Sequence, residues 1–155
     1  MRVSNFLIKD FCQGDEATVV ADIISCWNKK SRPNVFIVEN TDGTMLGVVT
    51  VSDILKRVVP FFLQIDENLA EFASDQLLSK SEVKEILQLA VADLMSVDVI
   101  TVAPNDSFLE AAAKMMEGNF DYLPVVDSEN KCVGVVTRDK LDDALVEFIG
   151  KKSDS

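Results

Sequence analysis

The chain has 155 residues, enough for one ordinary domain or two very small ones, and its 48% hydrophobic and 26% charged residues exclude disordered and fibrous classes. A net charge of −11 repels a phosphate backbone, so no nucleic-acid partner is expected. No apolar run approaches the roughly 18 residues needed to cross a bilayer, and no signal peptide opens the chain, so a cytoplasmic protein without membrane contact is expected.

Val3-Ser4-Asn5-Phe6-Leu7 reads as a short lead-in. Val20, Ile23, Ile24 and Trp27 then follow the i, i+3, i+4, i+7 spacing of one buried helix face, which Lys29-Lys30 would close with charge suited to the helix dipole. Val35–Glu39 and Met45–Thr50 are rich in β-branched and apolar residues and flank Asn40-Thr41-Asp42-Gly43, so they predict two strands joined by a hairpin. Ile54, Leu55, Val58 and Val59 line a second helix. Residues 61–92 begin with Asp66–Phe72, which reads as a shorter acidic helix. A capping box follows, Ser79 with Glu82, ahead of the helical stripe Val83, Ile86, Leu87, Ala90 and Val91.

The chain then repeats itself. Gly47-Val48-Val49-Thr50 recurs as Gly134-Val135-Val136-Thr137 at an offset of 87. At an offset of 88, Val35–Glu39 faces Leu123–Asp127, which places one extra turn residue in the first hairpin. The same offset sets Val20, Ile23, Ile24 and Trp27 opposite Phe108, Ala111, Ala112 and Met115, a stripe preceded by the capping box Ser107 and Glu110. The lead-ins correspond too, with Val91-Ala92-Asp93-Leu94-Met95 in the second copy, and Leu141, Ala144, Leu145 and Phe148 line its last helix. One unit of this size buries too little apolar surface to stand alone. The expected fold is therefore α+β: tandem β-α-β-β-α repeats with pseudo-two-fold symmetry and sheets packed face to face. The boundaries are residues 1–60 for the first repeat, 61–92 for a helical insert, 93–150 for the second repeat and 151–155 for a tail.

The side-chain inventory excludes much chemistry. There is no histidine, which removes the commonest general base and every His-containing metal site. Cys12, Cys26 and Cys132 form no CxxC pair and read as small buried hydrophobes in a reducing compartment. No pair of carboxylates stands out as acid and base, so neither an enzyme nor a metal site is expected.

Both repeats resemble the CBS (cystathionine β-synthase-type) domain, and the pair resembles a Bateman module. The resemblance rests on Gly47-Val48-Val49-Thr50-Val51-Ser52-Asp53, a Gly-hydrophobic-x-Thr-x-x-Asp motif. It rests also on Asp93-Leu94-Met95 with Val99-Ile100-Thr101-Val102-Ala103-Pro104, and on the proline in Tyr122-Leu123-Pro124-Val125-Val126. It implies a regulatory module that senses an adenosine-type ligand, an adenine nucleotide or S-adenosylmethionine, with no required cofactor. Asp53 would take the ribose hydroxyls, with Thr50 and Ser52 near phosphate at the amino end of a helix. Phe36, Thr101, Tyr122 and Pro124 would contribute to the walls around the ligand.

The second copy departs from this pattern. Thr137-Arg138-Asp139-Lys140 puts a lysine at the ribose-aspartate position, and lysine accepts no hydrogen bond. That cleft should be degenerate, or should use Lys140 and Arg138 for phosphate. With no effector segment after the second repeat, output is expected through a homodimer or a separate effector protein. The alternative is a ligand-free dimerisation or interaction module.

Overall fold

The computed structural model describes residues 1–29, 32–63 and 79–153, with backbone only for 59–63. The expected short helix at Asp66–Phe72 lies outside these residues, as does Lys30. The first unit runs β1 (Cys12–Gly14), α1 (Val20–Trp27), β2 (Val35–Glu39), β3 (Met45–Thr50) and α2 (Val51–Leu63). After α3 (Lys80–Leu87), the second unit runs α4 (Phe108–Gly118), β4 (Tyr122–Val126), β5 (Cys132–Thr137) and α5 (Arg138–Ser153). β1 lies parallel to β2, which pairs antiparallel with β3. β4 and β5 form the matching hairpin, and the counterpart of β1 is reduced to one parallel bridge, Val102 to Val125.

Strand alternation sends one row of side chains to the helices and the other to the opposite sheet. Phe36, Val38 and Val49 pack with Val20 and Ile23 of α1, while Leu123, Val125 and Val136 pack with Phe108, Ala111 and Met115 of α4. Between the sheets lie Val35, Ile37, Val48 and Val135, joined by Tyr122 and Cys132. The expected face-to-face packing of two repeats is therefore present.

The repeat register differs by one residue from the sequence alignment. Phe36 pairs with Val49 as Leu123 pairs with Val136, an offset of 87 in these strands too. The two hairpins are equally long: Asn40 N–H donates to Thr44 O as Asp127 N–H donates to Lys131 O. Gly43 and Asn130 take the same left-handed turn position, φ 86° and 61°. The extra residue of the first copy lies between α1 and β2. At a period of two residues, this slip exchanges the faces of a whole strand.

The lead-ins are exchanged. Residues Val3–Asn5 form a 3₁₀ turn whose Val3, with Phe6 and Leu7, sits in the core of the second unit. Val91–Asp93 forms its counterpart, and Val91 and Leu94 sit in the core of the first. The hydrogen bonds repeat: Val3 N–H donates to Asp106 O (2.9 Å), and Val91 N–H donates to Thr18 O (2.8 Å). Each lead-in then crosses the last strand of the other unit, Ile8 bridging Val135 and Ser96 bridging Val48. This explains the glycine of the repeated tetrapeptide. A Cβ on Gly47 would stand 2.5 Å from Ser96 O, and one on Gly134 would stand 2.5 Å from Leu7 Cδ1 and 3.0 Å from Ile8 O.

The capping box at α3 is formed in both directions, with Glu82 N–H donating to Ser79 Oγ (3.2 Å) and Ser79 N–H to Glu82 Oε2 (3.1 Å). At α4 the bond from Glu110 N–H to Ser107 Oγ carries the cap. The stripe expected to continue to Val91 stops at Leu87, because Leu89 O accepts from Val20 N–H and Val91 is drawn into the exchanged turn. In α2 the inward residues are Ile54 and Val58, whereas Leu55 is half exposed.

The cysteine reading is corrected. Cys12 of β1 and Cys26 of α1 form a disulfide, with Cα atoms 6.1 Å apart. Packing of the helix across the parallel strand brings together residues 14 apart in sequence. Cys132 is free, and burial pushes its thiol pKa up to about 11. No helix among the described residues is long and apolar enough to cross a membrane.

Candidate functional site

The end of β3 runs into α2 without a loop, so Thr50 and Asp53 lie on the first turn. Asp53 is the one charged side chain buried among the described residues. Its Oδ2 accepts from Thr50 N–H (2.8 Å) and Thr50 Oγ (3.2 Å), and its Oδ1 accepts from Ser96 Oγ (3.3 Å). The carboxylate therefore satisfies an amino-terminal N–H of the helix that would otherwise lack a partner. Ser96 reaches it because the second lead-in crosses β3 at Val48.

A cavity of about 360 Å³ opens beside this carboxylate. Thr50, Ser52, Asp53 and Lys56 come from the first unit, while Ser96, Asp98, Val99 and Ile100 follow the exchanged lead-in. Asn119, Phe120, Asp121, Tyr122 and Pro124 close it from the second unit. Both units are thus needed to wall one cleft. The size suits a small organic ligand, with one buried acceptor among walls that mix apolar and polar side chains.

A second cleft of about 770 Å³ is the pseudo-symmetric counterpart. Thr137, Arg138, Asp139 and Lys140 replace Thr50–Asp53, and Ile8 stands where Ser96 does. Arg32, Pro33 and Asn34 take the places of Asn119, Phe120 and Asp121. Here the helix is capped in the opposite sense, with Lys140 N–H donating to Thr137 Oγ (3.2 Å). Arg138 donates to Phe120 O (3.0 Å) and lies 3.9 Å from Asp121, so its guanidinium is held along the partition between the clefts. Arg32 pairs with Asp10 (3.1 Å) and donates to Cys26 Sγ (3.0 Å). Tyr122 lines both clefts, and burial foremost raises its phenol pKa, with Asp121 adding to the shift.

Thr50, Ser52, Asp53, Tyr122 and Pro124 therefore meet in the first cleft, and Tyr122, Thr137, Arg138 and Lys140 in the second. Phe36 and Thr101 line neither. Phe36 faces α1, being equivalent to Leu123, and Val35 lines the first cleft one position earlier. The Thr101 backbone carbonyl accepts from Lys114 Nζ (2.9 Å) at a separate surface hollow. Sequence reasoning did not identify Lys56, Ser96, Asp98 or Asp121 as cleft residues. The repeat pairs Ser96 with Ile8, a mismatch of polarity at corresponding positions, which is the sequence signal that could have marked it.

The chain matches the CBS domain family over residues 15–60 and 91–147. It is 30% identical to an uncharacterized protein of Methanocaldococcus jannaschii, over 90% of this chain and 91% of that one. The fold is similar to that of CBSX2 in complex with AMP, with a TM-score of 0.69 at 23% identity, covering 95% of this chain and 97% of that one. A CBS domain pair in complex with 5′-methylthioadenosine and S-adenosyl-L-methionine gives a TM-score of 0.68 at 21% identity, covering 97% and 98%.

Proposed function

The chain belongs to the CBS domain family, and we propose that it is a regulatory module that binds one adenosine-type ligand in the first cleft. The observation that carries this reading is the buried Asp53 carboxylate at the base of a cavity walled by both units. Its oxygens can accept from vicinal ribose hydroxyls, a charge-assisted pairing, if Ser96 Oγ turns away. Similar folds hold AMP in one case, and 5′-methylthioadenosine and S-adenosylmethionine in another, which supports the ligand class. The second cleft has a lysine at the equivalent point and no acceptor for ribose there. The module is not proposed to be catalytic: the Thr50 and Ser96 hydroxyls of the cleft are held by the Asp53 carboxylate at the start of α2, and the chain has no histidine to serve as the commonest general base.

Because the first cleft takes walls from both units, a ligand there would tighten their relative placement. It would shift a conformational equilibrium by its differential affinity for the two arrangements. Output then passes to a second copy or a separate effector. Leu55 of α2 and Leu145, Phe148 and Ile149 of α5 are 41–57% exposed, which supports self-association through these helices.

Thermal unfolding with and without adenosine, AMP or S-adenosylmethionine tests the reading. Ligand at about 100 times its dissociation constant should add roughly 2.7 kcal/mol to the native state. An unchanged melting temperature with all three would leave a ligand-free interaction module.

A further inference from the structure

We infer that the first cleft selects, within the adenosine class, compounds whose 5′ substituent is uncharged or cationic over those carrying phosphate. This rests on the binding reading above and adds the chemistry at the far end of the ligand.

Two observations, which share Asp53, point the same way. The first is local. The amino end of a helix ordinarily attracts phosphate through unpaired N–H groups. At α2, Asp53 already supplies an anion to that turn, through Thr50 N–H and the Thr50 hydroxyl. A phosphate placed there would approach a buried carboxylate.

The second is the charge of the walls. Asp53, Asp98 and Asp121 line the cleft against the single cation Lys56, three negative charges less one positive, or −2. Arg138 offsets Asp121 in part, but it holds Phe120 O and lines the other cleft. The second cleft has Arg32, Arg138 and Lys140 against Asp121, Asp139 and Asp143, a balance of zero. The chain as a whole adds a field of the same sign, at −11. A phosphate monoester brings roughly −1.5 to −2 charges at neutral pH, and a triphosphate more. A methylthio group instead meets the apolar part of the wall, Val51, Val99, Ile100 and Phe120. The sulfonium and ammonium of S-adenosylmethionine, net +1 after its own carboxylate, meet the carboxylates of the cleft.

The test is titration calorimetry of the full chain with adenosine, 5′-methylthioadenosine, S-adenosylmethionine, AMP and ATP, at low and at high salt. S-adenosylmethionine should bind tightest, then the two uncharged nucleosides, then AMP and ATP. AMP should fall about tenfold or more below S-adenosylmethionine at low salt, and salt should narrow the gap. Asp98→Asn and Asp121→Asn should each narrow it further, mainly by improving AMP and ATP. AMP or ATP binding as tightly as adenosine would overturn the charge inference and leave the binding reading standing. So would a gap that neither salt nor the two variants move. If none of the five compounds binds, both fall together.

Discussion

The two clefts are built from the same tetrapeptide, the same hairpin and the same exchanged lead-in, yet they offer opposite chemistry. In the first, Asp53 reaches back from the helix to Thr50, burying a carboxylate. In the second, Thr137 reaches forward to the N–H of Lys140, and the lysine, which lines that cleft, is exposed. Both solutions satisfy the start of a helix, so the fold tolerates either one. Only the first leaves a buried carboxylate at the base of a cavity. A repeated scaffold can thus hold its geometry constant while one residue decides which copy buries a carboxylate, the group proposed above to take a ribose.

The units also differ in how they are fastened, and the largest expected effect lies there. Reducing the Cys12–Cys26 disulfide, or replacing Cys26 with Ser, should lower stability by about 3 kcal/mol for a loop of this length. Denaturant titration with and without a dithiol reductant measures it. The second unit has no equivalent bond, so Cys132→Ser under reducing and oxidising conditions is the control.

Breaking the exchange of lead-ins should come next. Gly47→Ala places a methyl 2.5 Å from a backbone oxygen and should cost about 2–3 kcal/mol. Gly134→Ala meets the end of the Leu7 side chain, which can turn aside, and should cost about 1–2 kcal/mol. Equal costs in denaturant unfolding would contradict the unequal contacts drawn for the two lead-ins.

The caps should differ less. Asp53→Asn and Thr137→Ala should each cost about 1 kcal/mol in the absence of ligand. Lys140→Asp tests whether the second copy can be converted. It should add about 0.3–1 kcal/mol from the helix amino terminus, and a second binding event should appear in calorimetry with adenosine.

A pH effect separates the two sheets. Cys132 of β5 stands where β3 has Met45, and both pack between the sheets. Burial favours the neutral thiol, raising its pKa from 9.0 to about 11. The folded state therefore holds the proton more tightly than the unfolded chain. That contribution is complete below pH 9.0 and is lost as pH rises toward about 11. Cys132→Met should flatten the fall in stability seen over this range.

What the sequence revealed follows from which interactions are local. The helix stripes, the hairpins and the repeated Gly-Val-Val-Thr depend on periods and turns within a few residues, and most are found where their pattern places them, although the stripe after Ser79 stops at Leu87 and Leu55 is half exposed. Strand register within the repeat was not legible, because runs such as Val35–Glu39 and Leu123–Asp127 are apolar on both faces. Without alternation, a slip of one residue leaves no trace. That slip is why Phe36, and not Val35, reads as a wall residue. The disulfide and the contribution of Ser96 and Asp98 depend on the helix-on-strand crossing and on the exchanged lead-ins, which join distant parts of the chain. Asp53 was legible because its role is local in sequence, three residues from Thr50 on one turn.

The most direct test of unequal clefts is the stoichiometry of adenosine binding to the full chain and to two variants, by titration calorimetry. The account predicts one equivalent per chain, an affinity at least about tenfold weaker in Asp53→Ala, and an unchanged isotherm in Lys140→Ala. Two equivalent sites per chain, or an Asp53→Ala protein that binds adenosine as tightly as the parent, would contradict it.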